Sequence, residues 1–187
     1  MIFDYVSAIL MLIIGLGLTH LLGDVVFAFQ DRKRTRPHWL PMVWAGIIFA
    51  EQMQFLWAIY ELKEIKADWT SGQFILMLVP ALLHFSAGAL VVPRDNEEGT
   101  DGWTLFLENG RWSLALLALY DLIAVFANMI MFETPFMSAA SLVNLLFSLL
   151  LTALIFARNR RIWLWGTLLY CIAIVLSGIL LSPVSYE

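Results

Sequence analysis

Six apolar runs separated only by short polar connections constrain this chain more than any other feature. They extend over about Tyr5 to Ala28, His38 to Glu61, Gly72 to Val92, Arg111 to Phe132, Ser138 to Ala157 and Ile162 to Ser182. A helix needs roughly 20 apolar residues to cross the hydrocarbon core of a bilayer. Six crossings therefore use most of the 187 residues and leave no length for a separate soluble domain. With 61% of residues hydrophobic and 14% charged, a soluble chain of this size could not hide its apolar surface. The predicted fold class is all-α, an integral membrane bundle of six transmembrane helices forming one domain over residues 1–187.

The connections are Asp31 to Pro37 (DRKRTRP), Leu62 to Ser71, Pro93 to Gly110, Glu133 to Met137 and Arg158 to Arg161, each polar or rich in helix breakers. Lysine and arginine favour cytoplasmic loops. Of the eleven in the chain, Arg32, Lys33, Arg34, Arg36, Arg94, Arg111, Arg158, Arg160 and Arg161 fall in or beside the first, third and fifth connections, and only Lys63 and Lys66 fall in the second. That alternation predicts both termini on the non-cytoplasmic side, and a wrongly added or dropped span would scramble it. Trp39, Trp69, Trp103, Trp112 and Trp163 near the run ends fit an aromatic belt at headgroup level. The third connection, with Trp103, Leu105, Phe106 and Leu107, reads as a short helix lying along the interface. The first run has no basic leader or cleavage motif and carries Asp4, His20 and Asp24, so it is expected to stay as the first helix. Two antiparallel three-helix halves would be an inverted repeat, although the glycine-rich first helix has no counterpart in the fourth.

The single cysteine, Cys171, lies within an apolar run and excludes an intrachain disulfide or a cysteine-rich metal centre. The net charge of -4, with basic residues confined to loops, carries no nucleic-acid signature. The informative residues are the ionisable ones inside the spans, which cost roughly 2.5 to 3.5 kcal/mol each on insertion scales. At about 1.5 Å per residue, Glu51, His84 and Asp121 fall within roughly 3 Å of the middle of their helices, and His20 about 5 Å off centre. Residues three and four apart share a helix face. Trp44, Ile47, Glu51, Gln54, Ala58 and Glu61 thus form one stripe, Gly17, His20, Asp24 and Phe27 a second, and Leu117, Asp121, Ala124 and Asn128 a third. Asn144, Ser148 and Thr152 give the fifth helix a weaker polar face. The sixth, offering only Cys171 and Ser177, is expected to face lipid. Pro80, four residues before His84, frees the carbonyl of Leu76 and makes a hinge or ligand point plausible. Gly15, Thr19 and Gly23 form a small-residue row suited to close packing, including between subunits of a homo-oligomer.

Interhelical polar contacts are common and individually weak, so these groups could be structural glue. Four at one level, with Gln52, Gln54 and Asn144 nearby, favour a channel or transporter in which Glu51 and Asp121 are acidic sites for protons or cations. In that reading His20 and His84 are relays, and Asp24, Gln54 and Asn144 extend the path. A different class of reading is a membrane-embedded metal site, in an enzyme or sensor, drawing on His20, Asp24, His84 and Glu51. It lacks an HExxH-type signature. A haem variant would take His20 and His84 as axial ligands, with Gly15, Gly17 and Gly88 supplying room. Transport without a cofactor is preferred to catalysis, and a passive subunit of a membrane assembly is the third reading. Arg32, Lys33, Arg34 and Arg36 could bind anionic lipid headgroups, although orientation alone accounts for them.

The glycine-rich GLGLTHLLGD, the basic loop after it, WAGIIFAEQMQFLWAIYEL and an acidic loop leading to ENGRWS occur in an order that resembles an uncharacterised group of small bacterial membrane proteins. The resemblance implies a six-span topology in a bacterial cytoplasmic membrane and no particular chemistry.

Overall fold

The computed structural model describes residues 2–30, 38–65, 69–93 and 102–181. These form six helices and no strand: α1 (Ile2–Gln30), α2 (Trp39–Ile65), α3 (Ser71–Val91), α4 (Gly102–Met131), α5 (Ala139–Phe156) and α6 (Arg160–Leu181). All six are long and apolar enough to cross a membrane. Their outer surface bears this out, since Phe156 is 80% and Leu149 67% exposed among many other large apolar side chains. Water would not tolerate so much contiguous apolar surface. The chain is a multi-pass membrane protein.

Local chemistry sets the helix ends. Thr70 caps α3 with a reciprocal box, its hydroxyl accepting from the Gln73 amide while the Gln73 side chain accepts from the Thr70 amide. Helix α4 ends where Glu133 turns left-handed, with φ of 54°, and the Thr134 amide reaches back to the Asn128 carbonyl at 3.2 Å. This back-bond closes the end of α4 without glycine and spans one residue more than the long bond of a Schellman cap. Ser138 then caps α5 by accepting from the Ser141 amide. Between α5 and α6 the Ala157 carbonyl accepts from both Arg111 Nη2 at 3.3 Å and Trp163 Nε1 at 3.1 Å, which ties α4, α5 and α6 together.

Two expectations need correcting. Residues 102–110 are not a separate interfacial helix but the first turns of α4. Phe106 is wholly buried, packs edge-on against Trp163 at 5.5 Å and covers Gly110, so this segment gains more by continuing α4 against α6 than by lying on a headgroup surface. Nor does α6 merely face lipid. Trp163, Thr167, Tyr170 and Ile174 are buried at helical spacing, and Trp163 points into the bundle rather than out to an aromatic belt. Trp39 and Trp112 are the exposed belt residues, while Trp69 and Trp103 are half-buried.

The most extensive interfaces join α3 to α4, α4 to α5 and α1 to α3, whereas α2 touches α4 and α6 sparingly. One end of the bundle, termed the basic end, gathers the ends of α1, α3 and α5 with the starts of α2, α4 and α6. Arg160 there sits 2.8 Å from His38 Nε2 and over the Trp103 ring. The apolar core is split in two. A cluster around Ile48, Ala87, Ala118 and Trp163 fills the basic end, and a second around Leu10, Phe55, Ala81 and Met131 fills the opposite end. The ionisable residues lie at the seam between the clusters. The Gly15, Thr19 and Gly23 row faces outward, and a Cβ at either glycine would meet no atom within 4 Å.

Candidate functional site

The seam is built around Glu51 of α2, which is 5% exposed. Its Oε1 accepts a hydrogen bond from the Tyr170 hydroxyl of α6 at 2.6 Å, and its Oε2 lies 3.9 Å from His84 Nδ1 of α3. Asp121 of α4, 2% exposed, stands within electrostatic reach of Glu51. Four helices thus place carboxyl, imidazole and phenol groups in one layer: α2, α3 and α4 carry theirs where the apolar core changes over, and α6 reaches it with Tyr170 from the cluster at the basic end.

Aromatic rings hold the layer in place. Tyr120, the residue before Asp121, lies against the His84 ring at 3.9 Å between centroids, and Phe55 flanks both rings at 6.1 and 6.4 Å. Tyr170 is clamped between Trp44 at 5.2 Å and Phe147 at 4.8 Å, which fixes the hydroxyl that serves Glu51. Gln52 donates from Nε2 to the His84 carbonyl at 3.3 Å, pinning α2 to α3 one turn after Pro80. At the flanks, Ser113 donates to the Ala87 carbonyl and Ser148 to the Ala118 carbonyl, closing α4 onto α3 and α5.

Several polar atoms in this layer make no hydrogen bond to the described protein: Glu51 Oε2, both His84 ring nitrogens, Asp121 Oδ2 and Gln52 Oε1. Trp44 Nε1 and Thr167 Oγ1 continue the series toward the basic end. Each buried, unmade bond costs about 1 to 3 kcal/mol, so a concentration of them marks a place where a proton, a water molecule or an ion has partners ready. On the other side of the layer, a groove of about 440 Å³ runs between α2, α4, α5 and α6 and reaches from Glu61 down to Tyr120 and Phe147. Gln54 and Asn144, both anticipated as path residues, line it together with Asn128.

The anticipated residues thus fall into three groups. Glu51, His84 and Asp121 come together, and Gln54 and Asn144 lie on the approach. His20 and Asp24 form their own pair along α1, 3.2 Å apart, with His20 32% exposed and its ring against Phe85 of α3. No three His, Cys, Asp or Glu side chains among the described residues converge as a metal shell would require. The room that Gly17 and Gly88 leave is occupied by Gln52 Nε2, 3.1 and 3.8 Å from where a Cβ would stand, rather than open to a macrocycle. Arg32, Lys33, Arg34 and Arg36 lie outside the described residues.

Tyr170 and Tyr120 are the site residues that sequence reasoning overlooked. The signal for Tyr170 was its position eight residues into the sixth apolar run, far from either interface, in register with Trp163, Thr167 and Ile174. Tyr120 adjoins an intramembrane aspartate. Compared with protein-family models, curated proteins and solved structures, the chain matches none.

Proposed function

We propose that the protein is a small channel or transporter whose midplane layer of Glu51, Asp121, His84 and Tyr170 handles protons or a small cation. The observation that carries this reading is Glu51 itself. One of its oxygens is satisfied by Tyr170, while the other lies 3.9 Å from the His84 imidazole with no hydrogen bond made. Ionisable groups in a membrane interior are costly and mark ion and proton routes. The unmade bonds cluster on the ionisable groups of this layer, where a proton, a water molecule or an ion can complete them.

The basic end, by the positive-inside rule, is the cytoplasmic one. The groove then opens on the outer half of the bundle and delivers to Tyr120. From the Glu51 layer, Gln52, Trp44 and Thr167 continue toward the cytoplasmic half, and His20 with Asp24 stands beside that route on α1. A bacterial cytoplasmic membrane and a homo-oligomeric state belong to the same reading. The outward row of Gly15, Thr19 and Gly23 suits close helix approach by a second copy.

Reconstitution into liposomes holding a pH-sensitive dye tests the reading. With a potassium gradient and valinomycin as the driving force, the wild type acidifies or alkalinises the lumen faster than empty vesicles, and Glu51→Gln abolishes the difference. Gln keeps the shape and can still accept from Tyr170, so an unchanged thermal midpoint separates lost transfer from lost fold. Equal rates in wild type and Glu51→Gln would remove Glu51 from any uncoupled proton route.

A further inference from the structure

The walls of the groove say more about its occupant than the proton reading requires. Phe55, Trp57, Tyr120 and Phe147 present four aromatic rings, and Glu61 is the one lining residue with a formal charge among those described. Among the described residues no lysine, arginine or histidine lines it. Aromatic faces and a carboxylate attract positive charge, and among the described residues no cationic side chain stands in the groove to balance an anion. A bare metal ion needs several oxygens converging at about 2.3 to 2.6 Å or closer, and Glu61 is the only carboxylate among the described lining residues, with no group of three His, Cys, Asp or Glu side chains converging anywhere among those described. The volume of about 440 Å³ falls in the range of small-molecule sites. Gln54 and Trp57 on one flank are exposed at a depth where lipid surrounds the bundle, so the occupant can enter from the bilayer.

We infer that this groove binds a lipophilic organic cation, a positive nitrogen or phosphorus centre carried on apolar groups, and that its binding is exchanged for a proton of the Glu51 and Asp121 layer. The exchange step rests on the proton reading proposed above, while the binding step stands without it. The link is Tyr120, which forms part of the groove and also lies against His84, with Asp121 the next residue along α4. A cation seated on Tyr120 and a proton held in the layer answer to the same two carboxyls. One positive charge therefore enters as one leaves, and the charge balance of the buried site is kept.

Equilibrium dialysis of radiolabelled tetraphenylphosphonium against the purified full-length protein in detergent tests the site. Binding should be saturable and displaced by unlabelled tetraphenylphosphonium, but not by tetraphenylborate, which has the same shape and the opposite charge. Glu61→Gln and Trp57→Ala should each weaken binding about fivefold. Ser177→Phe or Ala140→Phe, which fill the groove from α6 or α5, should abolish it, and the variant that keeps the wild-type thermal midpoint is the one read. Uptake that does not saturate, displacement by tetraphenylborate, or binding indifferent to a folded groove-filling variant would overturn the inference. Proton release on cation addition, present in the wild type and lost in Glu51→Gln, supports exchange. Binding without release overturns the exchange step and leaves the site. Proton flux in liposomes without cation binding overturns the site and leaves the proton route.

Discussion

The hydrogen bond between Tyr170 and Glu51 ties α6 to the polar layer, and removing it is the sharpest test of the architecture. Tyr170→Phe deletes only the hydroxyl, leaving the ring between Trp44 and Phe147 in place. At 2.6 Å, with both partners buried, the bond is short and cannot be replaced by bulk water. Interhelical hydrogen bonds in membranes average about 0.6 kcal/mol and reach about 1.7, and a buried acceptor left unmade costs about 1 to 3 kcal/mol. Tyr170→Phe should therefore destabilise the protein by about 1 to 2 kcal/mol. A double-mutant cycle with Glu51→Ala, followed by unfolding in mixed micelles, should give a coupling of at least about 0.6 kcal/mol, because the bond exists only when both partners are present. Contacting residues are non-additive, whereas independent ones add within about 0.3 to 0.5 kcal/mol. Additivity within that margin would mean that the two side chains do not meet, and α6 would lose its place in the site.

Two other outcomes follow from packing and topology. A Cβ at Gly110 would stand 2.6 Å from the Phe106 ring, which is itself wedged against Trp163, so Gly110→Ala should cost about 1 to 3 kcal/mol by overpacking. Phe106→Leu in the same chain should recover part of that loss in a thermal melt. In a Cys171→Ser background, Asn159→Cys should react with an impermeant maleimide only from the cytoplasmic side and Met137→Cys only from the other. The reverse labelling would invert the orientation that the arginine and lysine distribution implies.

The helix count and the membrane setting were legible because they depend on one-dimensional quantities, the length of each apolar run and the polarity of what separates them. Depth was legible for the same reason. Counting about 1.5 Å per residue puts Glu51, His84 and Asp121 at one level, and the structure does bring them together. The helical stripe rule also directed Gln54 and Asn144 to a common region, where they line one groove. The start of α4 was misread because Trp103, Phe106 and Leu107 interleave with polar residues, a pattern that an interfacial helix and a buried helix end share. Only the presence of Trp163 on a neighbouring helix decides between them.

Tyr170 and Tyr120 were missed because a tyrosine inside an apolar run is ambiguous by itself, and its role depends on what its hydroxyl or ring finds on another helix. By itself the sequence determined six spans, the alternation of basic loops and the height of each titratable group, since periodicity and rise along a helix are local. Which groups at that height share a site was decided by tertiary packing alone. Rotation of each helix about its axis turns Glu51 toward Tyr170 and His84, and leaves His20 beside Asp24 on another face. Those rotations depend on how the six helices fill space against one another.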